Sequence, residues 1–275
     1  MAVYGFDAFA PAEIAERVEN VGVAKARLPL LQTVLLGMLA GAFIGLGSLY
    51  FVLVTSDASL GFAASRVLGG VVFSLGLLLV VVAGAELFTG NNLLAMAWAD
   101  RRISTAELLR NWVIVCCANF IGAAGLAVIV WLSGHPAMNG GKVATQVVLL
   151  AAAKCAAPAA TLFWKGVLCN ILVCMAVWMA MAGRSVVDKL AAIVLPVSAF
   201  VAAGFEHSIA NMYLIPLGLL LKPDMPADLA HLDALSLSGL VANLVPVIAG
   251  NLLGGSVLVA LVYHLIYRRH AAPPN

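Results

Sequence analysis

Apolar residues fill the chain in long blocks, and the polar residues that interrupt them are few and clustered. Five stretches carry no Asp, Glu, Lys or Arg: 28–56, 67–85, 111–141, 166–183 and 234–267. A transmembrane helix needs about 20 mostly apolar residues. The blocks predict six spans, at 29–55, 67–98, 107–132, 161–182, 190–221 and 239–267. The second and fifth are too long, and too polar in the middle, for plain helices; they carry AELFTGNN and GFEHSIANM. The segment 140–158 is apolar only between Lys142 and Lys154. That is too short to span, and it predicts an amphipathic surface helix outside the bilayer.

The polar interruptions repeat. Gly84, Glu86 and Asn91 are answered by Gly204, Glu206 and Asn211, each 120 positions later. An Asn-x-x-Gly follows in the next span of each half, at Asn119 and Asn251. Three spans per half is an odd number, so the halves run in opposite senses. Inverted repeats with a broken helix at the same place in each mark a midplane binding site. Irregular backbone at membrane depth persists only where protein or a water-filled cavity surrounds it. The breaks at Thr89–Gly90 and Ser208–Ala210 should therefore face a pathway. Their freed N–H groups and positive half-helix ends favour an anion.

Composition agrees, since only 10% of the 275 residues are charged, against about a quarter in soluble domains. The fold class is an all-α polytopic membrane protein: six helices in two inverted three-helix repeats, with helices 2 and 5 broken. With both termini on one side, that side holds ten Lys and Arg and the other five, which makes the termini cytoplasmic. Residues 1–28 form an N-terminal amphipathic segment opened by Pro11, not a signal peptide. Residues 29–267 form one channel domain: repeat one at 29–132, a periplasmic connector at 133–160, and repeat two at 161–267. Residues 268–275 are a cytoplasmic tail. The net charge of +2, without a basic patch, offers nothing to nucleic acid. Cys116, Cys117, Cys155, Cys169 and Cys174 make no C-x-x-C pair and read as small hydrophobes rather than disulfides or metal ligands. No nucleotide loop or nucleophile motif is present, so neither an enzyme nor a cofactor is expected.

Ionisable residues inside spans are functional candidates; here they are Glu86, Glu206 and His207. His207 adjoins both a carboxylate and a break, which favours a pore role over plain packing, and histidine exchanges protons near neutral pH. Glu206 either takes part in the path or ties down the broken loop through backbone N–H groups. The second reading weighs more for Glu86. Lys154 is either a solvated lysine or a lure for anions. Asn170 either bonds substrate or glues helices.

With GAELFTGNN, KGVLCNILVCMAVWMA, GFEHSIANMYLIPLG and NLVPVIAGNLLGG in this order, the chain resembles the formate–nitrite transporter family over nearly all of residues 1–267. The resemblance implies a homopentamer of aquaporin-like protomers, each with its own pore, in a bacterial or archaeal inner membrane. The substrates it implies are small monovalent anions: formate, nitrite, hydrosulfide and, in some members, acetate or lactate. It makes His207 the pore histidine, Thr89 the threonine facing it, and Lys154 the vestibule lysine, networked with Glu206 and Asn170. Apolar constrictions fall at Phe73 and Phe200 on the periplasmic side, and at Leu77, Leu87, Phe88 and Val173 toward the middle and cytoplasm. AAPAATLFWKGVLCN is similar to nitrite channels, whereas the N-terminal segment and residues 183–219 are more similar to formate channels. Formate is the leading substrate, with nitrite or hydrosulfide the alternative.

Desolvating an isolated charge is expensive, so an anion needs help past apolar rings. Either backbone dipoles and a protonated His207 shield it, or His207 protonates it and the neutral weak acid crosses. Phenyl and aliphatic barriers favour the second, which makes protons partners beside the anion and membrane lipid. A neutral-solute channel would instead carry a polar filter where Phe73 and Phe200 stand.

Overall fold

The computed structural model describes residues 8–268. Most of the expected 268–275 tail, Arg269 included, lies outside the described residues, as do residues 1–7.

Pro11 opens α1 (Pro11–Ala26), at a position where a missing N–H costs nothing. The apolar side of α1 packs Ile14, Ala15 and Val18 into a cluster with Met96, Trp178 and Val259. The first repeat then runs α2 (Leu30–Thr55), α3 (Phe62–Leu78, prolonged by a π turn to Gly84), a break, a 3-10 turn (Gly90–Leu94) into α4 (Ala95–Ala99), and α5 (Thr105–Leu132). After α6 (Lys142–Ala156), the second repeat runs α7 (Ala159–Ala180), α8 (Val186–Ala202), a break, α9 (Ser208–Leu221) and α10 (Leu237–Leu252). A π segment (Leu253–Leu261) carries α10 into α11 (Val262–Tyr267).

Among the described residues, five continuous helices are long and apolar enough to cross a membrane: α2, α3 through Gly84, α5, α7, and α10 through α11. The sixth crossing is α8 with α9, 17 and 14 residues long, kept apart by residues 203–207. α2 pairs with α5, α7 pairs with α10, and the two equivalent helices α3 and α8 cross each other. This is the expected pair of inverted three-helix repeats.

α6 is amphipathic: Val143, Val147, Val148, Ala151 and Ala152 are buried in the main core, Lys142, Ala153 and Ala156 are exposed, and the helix packs along α9. Small residues at helical spacing let the two backbones approach closely. The same device joins α2 to α5, where a Cβ on Gly122 would lie 1.9 Å from the Met38 carbonyl oxygen and one on Gly41 2.0 Å from that of Asn119. Backbone cannot yield as a side chain tip can. Gly122→Val should therefore abolish recovery of monodisperse protein from detergent extracts; normal yield with normal melting would refute this account of the α2–α5 contact.

Candidate functional site

The two breaks are built alike. Gly84 (φ +89°) and Gly204 (φ +72°) end the helices in the left-handed region that glycine enters without a steric penalty. The turns close with Ala85 N–H on the Val80 carbonyl and Phe205 N–H on the Phe200 carbonyl, both 3.0 Å. An asparagine from the next helix then clasps each loop. Asn119 Nδ2 donates to the Gly37 and Glu86 carbonyls (2.7 and 2.8 Å), and its Oδ1 accepts the Phe88 N–H (2.9 Å). Asn251 Nδ2 donates to the Gly166 and Glu206 carbonyls (2.8 and 3.0 Å), and its Oδ1 accepts the Ser208 N–H (3.1 Å). Buried backbone groups need partners, and these two side chains supply them.

Each clasped glutamate holds a lysine. Lys154 Nζ reaches both Glu206 oxygens (3.0 and 2.9 Å), and Asn211 Nδ2 donates to Glu206 Oε2 (2.6 Å). In the other half, Lys25 Nζ lies 2.8 Å from Glu86 Oε1, and Asn91 Nδ2 donates to Glu86 Oε2 (2.7 Å). The correspondence extends outward: Asn111 donates to the Lys25 carbonyl and Asn243 to that of Lys154. Lys25 arrives on α1 and Lys154 on α6, so two helices outside the repeat pattern supply equivalent charges. α1 is also held by its fully buried Glu19, bonded to Arg268 Nε at 2.9 Å with Arg102 Nη1 at 3.8 Å.

Between the lysines lies a contact from one break to the other. Thr89 Oγ1 and His207 Nε2 are 3.1 Å apart, both residues buried. His207 caps α9, and its Nδ1 accepts the Ala210 N–H at 3.2 Å. A ring nitrogen that accepts a backbone N–H carries no hydrogen, so the hydrogen of this neutral ring sits on Nε2 and points at Thr89. Asn170 stands beside them, donating from Nδ2 to the Thr89 carbonyl, Asn92 Oδ1 and the Asn251 carbonyl.

A cavity opens toward the centre from each side. One, of about 280 Å3, is lined by Lys154, Glu206, His207, Phe73 and Phe200 among others. The Phe73 and Phe200 rings meet edge to face at 5.8 Å, and Phe200 stacks on His207 at 5.9 Å. The other, of about 500 Å3, is lined by Lys25, Glu86, Leu77 and Leu87, with α1 forming part of its wall.

The sequence model described as Formate/nitrite transporter matches residues 12–265. The chain belongs to the formate/nitrite transporter family. It is 38% identical to the formate channel FocA of Escherichia coli K12 over 276 residues, covering 96% of each chain. It is 35% identical to a formate channel of Bacillus thuringiensis, covering 94% of this chain and 96% of the other. A pentameric formate channel solved with formate bound superposes with TM-score 0.79 at 34% identity, over 86% of this chain and 97% of that one. An ion channel of the same family gives 0.81 at 31% identity, over 92% and 98%. The protomer is thus the aquaporin-like fold of this transporter family.

Of the residues singled out in the sequence of this family member, Lys154, Glu206, His207, Phe73 and Phe200 share one cavity, and Thr89 touches His207. Leu77 and Leu87 line the other cavity; Phe88 and Val173 are buried in the main core. Asn170 Nδ2 donates to the Thr89 carbonyl, Asn92 Oδ1 and the Asn251 carbonyl, and the amide that reaches Glu206 is that of Asn211. Glu86 also gains a partner, Lys25, which the repeat in the spans could not reveal because α1 lies outside it.

Proposed function

We propose that this chain is a channel for small monovalent anions, formate first, working as a homopentamer in an inner membrane with both termini cytoplasmic. One observation carries the reading: a donor pair, Thr89 and His207, sits between two cavities that each hold a lysine. Relatives named as formate channels, and a pentameric one with formate bound, support the same substrate and assembly. Lysines at the mouths concentrate anions; Phe73 with Phe200 and Leu77 with Leu87 strip water; His207 meets the anion at the centre and exchanges a proton with it. The Ala210 bond sets a condition on that exchange. Nδ1 takes up a proton only after releasing the Ala210 N–H, so each cycle loosens the cap of α9.

The test is flux in proteoliposomes for formate, nitrite, hydrosulfide and acetate, scanned over pH, with glycerol swelling as the control. Formate flux no faster than in protein-free vesicles, or rapid glycerol entry, would sink the proposal; faster nitrite or hydrosulfide flux would move the substrate within the family.

Lys154 gives a second test. Removing it leaves a buried carboxylate unpaired, which is costly, so Lys154→Ala alone should reduce recovery of folded protein. The pair Lys154→Ala with Glu206→Gln should fold and take up formate several-fold less well at low concentration. Wild-type uptake by the double variant would return Lys154 to a structural role.

A further inference from the structure

Arg66 lies on α3 in the first repeat, yet its side chain crosses to the second. Its Nε donates to the Ala202 carbonyl and its Nη2 to the Val201 carbonyl, both at 2.9 Å. These are among the last carbonyls of α8, and a helix C-terminus carries partial negative charge. That end opens on the cavity holding Lys154, Glu206 and His207, and Arg66 is part of its wall. A bare carbonyl end there would repel an anion at the point where water must be left behind.

Two details show a place shaped for the guanidinium. A Cβ on Gly204 would lie 2.9 Å from Arg66 Nη2, so the glycine that breaks the helix also leaves room for the arginine. Phe200, half of the ring pair in the constriction, immediately precedes Val201, so the same two bonds fix the backbone behind that ring. The bonds use two of the five N–H donors of arginine, and the charge remains on the cavity wall. The other half lacks this arrangement. Lys189, near the start of α8, lines the opposite cavity beside Gly84, and its side chain makes no hydrogen bond among the described residues.

We propose that Arg66 is a selectivity-determining residue of the Lys154-side mouth: its guanidinium neutralises the carbonyl end of α8 and holds Phe200, so that an anion is admitted past the constriction. The inference rests on the anion-channel reading above and adds a charge requirement to one mouth.

The experiment compares formate uptake by wild type, Arg66→Gln and Arg66→Lys in proteoliposomes at low and high ionic strength. Arg66→Gln should raise the half-saturating formate concentration about fivefold at low salt, with maximal flux within about twofold. The gap should close near 1 M salt, where the screening length falls to about 3 Å. Arg66→Lys keeps the charge and should restore half-saturation. An Arg66→Gln channel with wild-type half-saturation and salt response overturns the inference. So does an equal loss of maximal flux in both variants with half-saturation unchanged, the mark of a mere peg. If Arg66→Gln is not recovered folded, Arg66→Lys decides: wild-type half-saturation supports the charge role, and a fivefold rise overturns it. A wild-type chain that carries no small anion brings down the channel reading and this inference together; formate flux with Arg66→Gln unchanged brings down the inference alone.

Discussion

His207→Asn should give a folded channel whose formate flux no longer carries protons. Most substitutions at this position would confuse chemistry with packing, because His207 caps α9 through Nδ1. Asparagine is among the best capping residues, and its side-chain oxygen can accept the same Ala210 N–H. It does not titrate, so the variant removes the proton site and keeps the helix start. Proton-coupled uptake should fall at least about tenfold, since losing a hydrogen bond to a charged group costs about 1.5–3 kcal/mol. Any flux that remains should move net charge, read with a voltage-sensitive dye beside a pH dye in the vesicle lumen. A variant that keeps both proton coupling and weak-acid selectivity would show that the proton is handled elsewhere, and His207 would be left as a neutral donor paired with Thr89.

The reach of the sequence follows from what repeats within it. The breaks, the glutamates and the clasp asparagines recur at fixed offsets, so the inverted repeat and its paired breaks were legible. The meeting of Thr89 with His207 came from the family resemblance, and the 3.1 Å contact puts it in space. What escaped lies outside the repeat. Lys25 and Lys154 each stand in an Ala-Lys-x-x-x-Pro leading into the next helix, at Ala24–Pro29 and Ala153–Pro158, but they lie 129 residues apart, so the 120-residue offset that links the breaks did not pair them. For α6 the Val and Ala face was legible, but not that it packs along α9, because a short apolar run looks the same against any neighbour. Nothing in the sequence set Arg66 apart; only the packing of α3 against α8 brings it to the Val201 and Ala202 carbonyls. Asn170 was placed with Lys154 by the family resemblance, and only the fold shows its Nδ2 donating to the Thr89 and Asn251 carbonyls.

Asn251→Leu should prevent folding altogether, and Asn119→Leu should do the same. Leucine matches asparagine in size and shape but can neither donate nor accept. At Asn251 it strands the Gly166 and Glu206 carbonyls and the Ser208 N–H, in a place with no exposed surface. Each stranded group costs about 1–3 kcal/mol, so three together rival the whole stability of a typical domain, about 5–15 kcal/mol. Neither loop has an internal ladder to fall back on, because the chain there is extended between two helices. Recovery of monodisperse protein and its melting temperature read the effect directly. If both variants fail, the clasps are equivalent, as the mirrored bonds require. If Asn251→Leu fails and Asn119→Leu melts like wild type, the first break is held by its other contacts, and α1, through Lys25 on Glu86, is the element that replaces the clasp. A normal melt for both would mean that the loops carrying Glu86 and Glu206 are positioned by packing alone, and the lysine pairs would then lose the rigid carboxylates on which their placement depends.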